Sequence, residues 1–239
     1  MITYEEALAR LNGLADEGYR AFHGRLLKNE RIKLIGVRIP AMRALAKEWK
    51  GETDTFLTFP DEYYEVTFLK CTLVGQLPYG EFIKRVDAVL PLVDNWATCD
   101  CFKASCIRKH REEFLPKILE YLKSEREFTR RYALVTLLGD YMEAQYLPLI
   151  FESAEQVCSD EYYVMMAAAW LIAEVLVKFY GEGVAFLKKG TLPEAVRARA
   201  IRKACESFRL SAEQKAFLKS LSRTGQETPP DSSECNKNP

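Results

Sequence analysis

The chain has 239 residues, with 34 basic and 34 acidic side chains, 48% hydrophobic residues and 12 glycines. These proportions exclude a disordered chain, a collagen-like repeat and a disulfide-stapled miniprotein. At this length a single domain buries roughly 70 to 75% of its unfolded surface without help from metal or disulfides. The neutral total also excludes a polycationic coat for nucleic acid, but the charge is uneven. Residues 1–100 hold 13 basic and 15 acidic side chains, residues 101–223 hold 20 and 16, and residues 224–239 hold one and three. The basic excess clusters at Arg108-Lys109-His110-Arg111, at Arg126, Arg130 and Arg131, and at Arg197, Arg199, Arg202 and Lys203. Such clusters suit either a phosphate-facing surface or ordinary solvated helix faces.

In chain order, the opening MITYEEALARLNG is charged and amphipathic, unlike a basic stretch leading into an apolar core, and no run of about 18 apolar residues follows. A cytoplasmic protein with no membrane association is expected. Helical periodicity then recurs over 81–92, 112–123, 128–142, 161–180 and 194–207. In 112–123, for instance, Phe114, Leu115, Ile118, Leu119 and Leu122 fall on one stripe. No Asn-Gly or Asp-Gly turn separates alternating runs, so strands are not expected. Pro40, Pro60, Pro78, Pro91, Pro116, Pro148 and Pro193 fall near the ends of apolar-periodic runs, where a missing N–H does least harm. About a dozen helices are expected.

The second half repeats itself. Phe114-Leu115-Pro116 returns as Tyr146-Leu147-Pro148, and Glu127-Phe128 with Ala133, Leu137 and Leu138 returns as Glu161-Tyr162 with Ala167, Leu171 and Ile172. A period in the thirties with two helices per unit indicates an α-solenoid of stacked antiparallel helix pairs, whose concave face is the usual binding surface. A single domain over 1–223 is expected. The remaining TGQETPPDSSECNKNP lacks large apolar residues and reads as a disordered tail.

Common catalytic signatures are absent: there is no P-loop, GxGxxG, GxSxG or HExxH, and His23 and His110 are the only histidines. Seven cysteines, an odd number with no CxxC pair, read as reduced thiols. Cys99, Cys101 and Cys106 lack a fourth partner at zinc spacing, so neither metal nor cofactor is expected. The unusual segment is Asp94-Asn95-Trp96-Ala97-Thr98-Cys99-Asp100-Cys101-Phe102. Trp96 and Asp100 share a helix face one turn apart. Spacing alone favours a core tryptophan with an acid facing the helix macrodipole, with a site as the alternative. Arg130, Arg131 and Trp170 follow at repeat-like intervals, so Trp96, Asp100, Arg131 and Trp170 are candidates for one concave groove.

With these residues in order, the chain resembles the DNA alkylation repair enzymes of the AlkD-like type, DNA glycosylases built from HEAT repeats with an armadillo-type fold. The resemblance covers most of residues 20–206: Leu27-Lys28-Asn29, Gly36-Val37-Arg38-Ile39-Pro40, Trp96 with Asp100, Arg131 with Ala133, and Trp170. It implies a lesion-facing cleft made by Trp96, Asp100, Arg131 and Trp170, with no cofactor. It also implies a monomer acting on double-stranded DNA that contains alkylated purines. Asp100, Trp96 and Trp170 are then the candidate catalytic residues. Arg131, Arg130, Arg38, Arg197, Arg199, Arg202 and Lys203 are the candidate DNA-binding ones. Ala173 replaces the family's arginine three residues after the second tryptophan, which removes one phosphate contact. Arg38 and Ile39 replace small polar residues.

The chemistry implied is hydrolysis of the N-glycosidic bond of N3- or N7-alkylated purines. Their formal positive charge already weakens the bond, so a carboxylate need only stabilise the oxocarbenium-like sugar and orient water. The competing readings are a non-catalytic module of the same fold that binds damaged or branched DNA, and a helical scaffold for another protein.

Overall fold

Every regular element of the computed structural model is helical among the residues it describes, 1–27, 31–157 and 160–224. The fourteen α-helices among them are α1 (Tyr4–Asn12), α2 (Glu17–Leu27), α3 (Ile39–Glu48), α4 (Thr53–Leu57), α5 (Tyr64–Gly75), α6 (Tyr79–Val89), α7 (Trp96–Cys101), α8 (Arg111–Leu122), α9 (Glu127–Asp140), α10 (Leu147–Glu155), α11 (Tyr162–Lys178), α12 (Tyr180–Lys189), α13 (Glu194–Glu206) and α14 (Ala212–Thr224). Lys28, Asn29 and the tail expected over 224–239, apart from Thr224 at the end of α14, lie outside the described residues. The chain is all-α, and consecutive helices pack on one another: α5 on α6, α10 on α11, α11 on α12, and α13 on α14. Sequential pairing of this kind is how a helical-repeat chain buries faces that no hairpin could bury alone. The chain forms two compact units and passes from one to the other between Tyr132 and Ala133, within α9.

The first unit is organised around α5, where an amphipathic stripe is missing because eleven of its twelve residues are buried. Helices α3, α4, α6 and α7 cover it. Full burial demands close approach at its end: a Cβ on Gly75 would sit 2.5 Å from the Lys103 carbonyl oxygen. Burial also traps two charges, and each is satisfied. The Lys70 ammonium donates to the Phe59 carbonyl at 2.6 Å and to Asp61 at 2.9 Å. Glu65 accepts the backbone N–H groups of Ile35, Gly36 and Val37 at 3.0, 2.8 and 3.2 Å. These three N–H groups belong to a non-helical segment that pairs with no strand among the described residues, so the carboxylate supplies the partners that regular structure would otherwise give.

The second unit repeats the plan around α11, which buries Val164, Met165, Ala167–Ala169, Leu171–Ala173, Val175 and Leu176. Helices α10, α12 and α13 pack on it, α13 most extensively. Phe151 of α10 and Phe186 of α12 stack at 4.1 Å.

The periodic segments match α6, α8, α9, α11 and α13 to within a few residues. Pro116 differs from expectation, because it lies inside α8. The helix starts at Arg111, with Glu112 and Glu113 in the first turn where the macrodipole favours acids, so the proline falls beyond the turn that tolerates it. Its repeat counterpart Pro148 sits in the first turn of α10. The two tripeptides are therefore not structurally equivalent. In the other half, Ala133 and Leu137 of α9 and Ala167 and Leu171 of α11 are all buried, whereas Leu138 is half-buried and its counterpart Ile172 is fully buried.

Candidate functional site

Helix α7 has six residues, too few to hold itself together by propensity alone. Asn95 starts it. In extended conformation, its side-chain oxygen accepts the Thr98 N–H at 2.8 Å, while its amide donates to Asp94 at 2.9 Å and to the Thr98 hydroxyl at 3.1 Å. Ala97, Thr98 and Cys99 turn inward and are buried. Trp96 and Asp100 remain half-buried on the opposite side, one turn apart. Trp96 packs against the core of the first unit and points its indole N–H at the Leu26 carbonyl, 3.4 Å away.

Asp100 is gripped by Arg131 of α9. The guanidinium presents Nε to Oδ1 and Nη2 to Oδ2, both at 2.8 Å, in a bidentate fork. The arginine side chain is 7% exposed and the aspartate 19%. Each carboxylate oxygen accepts one of these N–H bonds and keeps a second lone pair. The Cys99 thiol reaches the Phe128 carbonyl at 3.6 Å and ties the same two helices together. Burial pushes the Cys99 and Cys101 thiols up from their ordinary values, so neither is poised as a thiolate nucleophile.

In the second unit the spacing recurs. Trp170 and Glu174 of α11 are four residues apart, as Trp96 and Asp100 are, and both are half-buried. Glu174 also holds an arginine, Arg209, at 2.6 Å. This pair is looser, with side chains 31% and 60% exposed.

The family model for DNA alkylation repair enzymes matches residues 7–208. The chain belongs to that family. No match was found among curated proteins. Membership in the DNA alkylation repair family makes DNA the partner class, and the expected site residues can be located against it. Trp96, Asp100 and Arg131 are brought together in the first unit, and of the two adjacent arginines Arg131 is the one on Asp100. Arg130 is half-buried on the next face of α9. Trp170 is only partly buried, so neither expected site tryptophan is a closed core residue.

Arg38 stands just before α3 at an exposed position in the first unit, and its side chain makes no capping bond. Its guanidinium donates to Asp16 at 2.8 and 3.1 Å and lies 5.1 Å above the Tyr19 ring. The Tyr19 backbone N–H and Arg38 hold the Asp16 carboxyl below its usual value. On α13, Arg202 and Lys203 are exposed and Arg199 is half-buried. Arg197 differs from expectation: it is 9% exposed, and its guanidinium donates to the Leu221 carbonyl at 2.6 Å and to Glu194 at 3.4 Å. It holds α13 to α14 rather than facing a ligand.

The Gly36-Val37-Arg38 segment depends on residues that sequence reasoning missed. Gly36 has φ of +101°, and a Cβ there would lie 2.7 Å from the Arg20 Cβ and 2.8 Å from the Asp16 carbonyl oxygen. Glu65 fixes the segment from beneath. The available signal was a lone acid inside the apolar run Tyr64–Gly75. Among the described residues, no group of three His, Cys, Asp or Glu side chains is placed to hold a metal ion, and no helix is long and apolar enough to cross a membrane.

Proposed function

We propose that this family member is a DNA glycosylase that hydrolyses the N-glycosidic bond of cationic N3- or N7-alkylated purines in duplex DNA. The observation that carries the reading is the largely buried but still accessible Asp100 carboxylate, one turn from Trp96 and clamped by Arg131. As the glycosidic bond breaks, the base leaves with the bonding pair and loses its formal charge, while positive charge grows on the sugar. Asp100 stabilises that charge through its outward lone pairs and receives a proton from the attacking water, whose oxygen bonds to the anomeric carbon. Trp96 and Trp170 are the proposed aromatic contacts, since a ring face favours a cationic partner by about 0.5 to 2 kcal/mol.

Arg131 acts in this scheme as a positioning residue: a bidentate fork fixes the plane of the carboxylate, which a lysine cannot do. Arg130, Arg38, Arg199, Arg202 and Lys203 are the proposed phosphate contacts. The test is release of 7-methylguanine or 3-methyladenine from methylated duplex DNA. Protein that binds such DNA with a steep salt dependence but releases no base would be a binding module instead.

A further inference from the structure

The charges of the second unit are sorted along the chain. Residues 133–177 hold seven acidic side chains and no basic one, whereas residues 178–224 hold eleven basic and four acidic. The basic stretch runs from the end of α11 through α14, and α14 begins at Ala212, beyond the residues that the family model matches. Three of its four acids are occupied: Glu194 holds Arg197, Glu206 holds Lys203, and Glu213 accepts the Ser211 hydroxyl. Among the described residues, no carboxylate lies within ion-pairing distance of Lys188, Lys215 or Lys219.

Helix α14 stands on the side of α13 turned from Trp170. Lys203, Glu206 and Ser207 share a cavity with Trp170 and Glu174, whereas the Arg197 guanidinium donates to the Leu221 carbonyl of α14 at 2.6 Å. Arg197 and Glu206 are nine residues apart, about 180° around one helix. Helix α14 also rests on α12, where the Tyr180 hydroxyl donates to the Gln214 carbonyl at 3.3 Å. Between Ala212 and Leu221 only Leu218 is fully buried, so the helix stands proud of the fold.

Cations edge α14 on both flanks. On the α12 flank, the Lys188 ammonium lies 5.4 Å from the centre of the Phe217 ring. On the α13 flank, Lys215 and Lys219 are one turn apart, and both are close enough to the Cys205 thiol to favour its anion, although burial outweighs them and pushes that thiol up. Phe217 is two residues from each lysine, about 160° away around the helix. Ala216 and Ser220, the outward residues between the flanks, are exposed and too short to hold a partner off. The acid of α14, Glu213, is confined to its first turn. An α-helix with its side chains is about 10 to 12 Å across, and the major groove of a B-form duplex is about 12 Å wide with phosphates along both edges. A membrane surface or an acidic peptide offers no such pair of anionic edges.

We infer that α14 lies lengthwise in the major groove of unmodified duplex DNA, with Lys188 meeting the phosphates of one strand and Lys215 and Lys219 those of the other. This second DNA contact uses neither Trp170 nor Asp100. Alanine and serine give no bidentate reading of a base edge, so the contact is blind to sequence and to lesions. The inference rests on DNA as the partner class and not on turnover at Asp100.

The test is acylation of lysines in the full-length protein, read residue by residue by mass spectrometry, with and without an unmodified duplex of about 20 base pairs. Lys188, Lys215 and Lys219 are expected to lose at least about threefold in reactivity on the duplex at about 50 mM salt and to regain it at about 300 mM. Full reactivity on the duplex overturns the inference, as does equal protection by polyglutamate or by phosphatidylserine vesicles at matched charge. The Lys188→Glu, Lys215→Glu, Lys219→Glu variant gives a second measurement. Its affinity for the same duplex should fall at least about tenfold, and the slope of log affinity against log salt should shrink by about 2 to 3. An unchanged slope also overturns the inference. Base release from saturating methylated duplex, unchanged in that variant, keeps the two readings apart. Release without lysine protection sinks the surface alone, and protection without release sinks the glycosylase alone.

Discussion

The first unit and the second each carry a tryptophan, an acid four residues later and an arginine on that acid, yet the two acids are held in different ways. Asp100 and Arg131 are both largely withdrawn from water and meet through two parallel hydrogen bonds of 2.8 Å. Glu174 and Arg209 meet through one contact, with the arginine more than half exposed. A buried pair is held because parting it strands a charge, whereas an exposed pair exchanges partners freely. The difference between a fixed carboxylate and an available one is therefore set by where the arginine sits.

The comparison breaks most readily at Arg131. Replacing it with Met leaves the largely buried Asp100 without its counter-charge and should cost about 3 to 5 kcal/mol of stability. Arg209→Ala, the corresponding change in the second unit, should cost no more than about 1 kcal/mol. Urea denaturation of both variants measures the contrast, and equal losses would remove the distinction between the two sites. A smaller effect is expected at Asn95, whose side chain starts α7. Asn95→Ala should cost about 0.5 to 2 kcal/mol. Base release should fall by more than that stability loss explains, because the helix aims Trp96 and Asp100; unchanged turnover in the folded variant would detach α7 from the site.

The smallest expected effect is a pH dependence confined to the first unit. His23 is buried between the rings of Tyr19 and Tyr64, and burial holds its pKa below the ordinary histidine value. The unfolded chain therefore takes up the proton first. The contribution of His23 is complete above about pH 6.5 and drains away as the pH falls through the lower, folded value. Stability measured at about pH 7.5 and about pH 5.5 should drop for the wild type and drop less for His23→Leu. A parallel drop in both would place the acid sensitivity elsewhere.

The helices were legible because burial writes itself into spacing, as in 112–123 and 194–207. Helix α5 was not among the periodic segments, since an element buried on nearly all sides has no stripe to orient it. Trp96 and Asp100 were legible as a face of one helix, and the family resemblance supplied Arg131. The grip of Arg131 on Asp100 was not legible, because ion pairing between residues 31 apart depends on how helices stack. Arg197 was misjudged for a related reason. Its cluster with Arg199, Arg202 and Lys203 looks uniform in sequence, but a helix turns about 100° per residue and points each side chain differently. Glu65 left only a faint mark, one acid in an apolar run. Glu174 was not singled out in the sequence, and its likeness to Asp100 emerged only when both were seen holding arginines.

The central claim is that Asp100 performs the chemistry while Arg131 fixes its carboxylate. The most direct measurement is single-turnover release of 7-methylguanine from methylated duplex DNA by wild-type and Asp100→Asn protein, with DNA affinity measured in parallel. The account predicts release by the wild type and a loss of at least about a hundredfold in Asp100→Asn, with affinity changed by only a few-fold. Undiminished release by Asp100→Asn, or no release by the wild type, would contradict it.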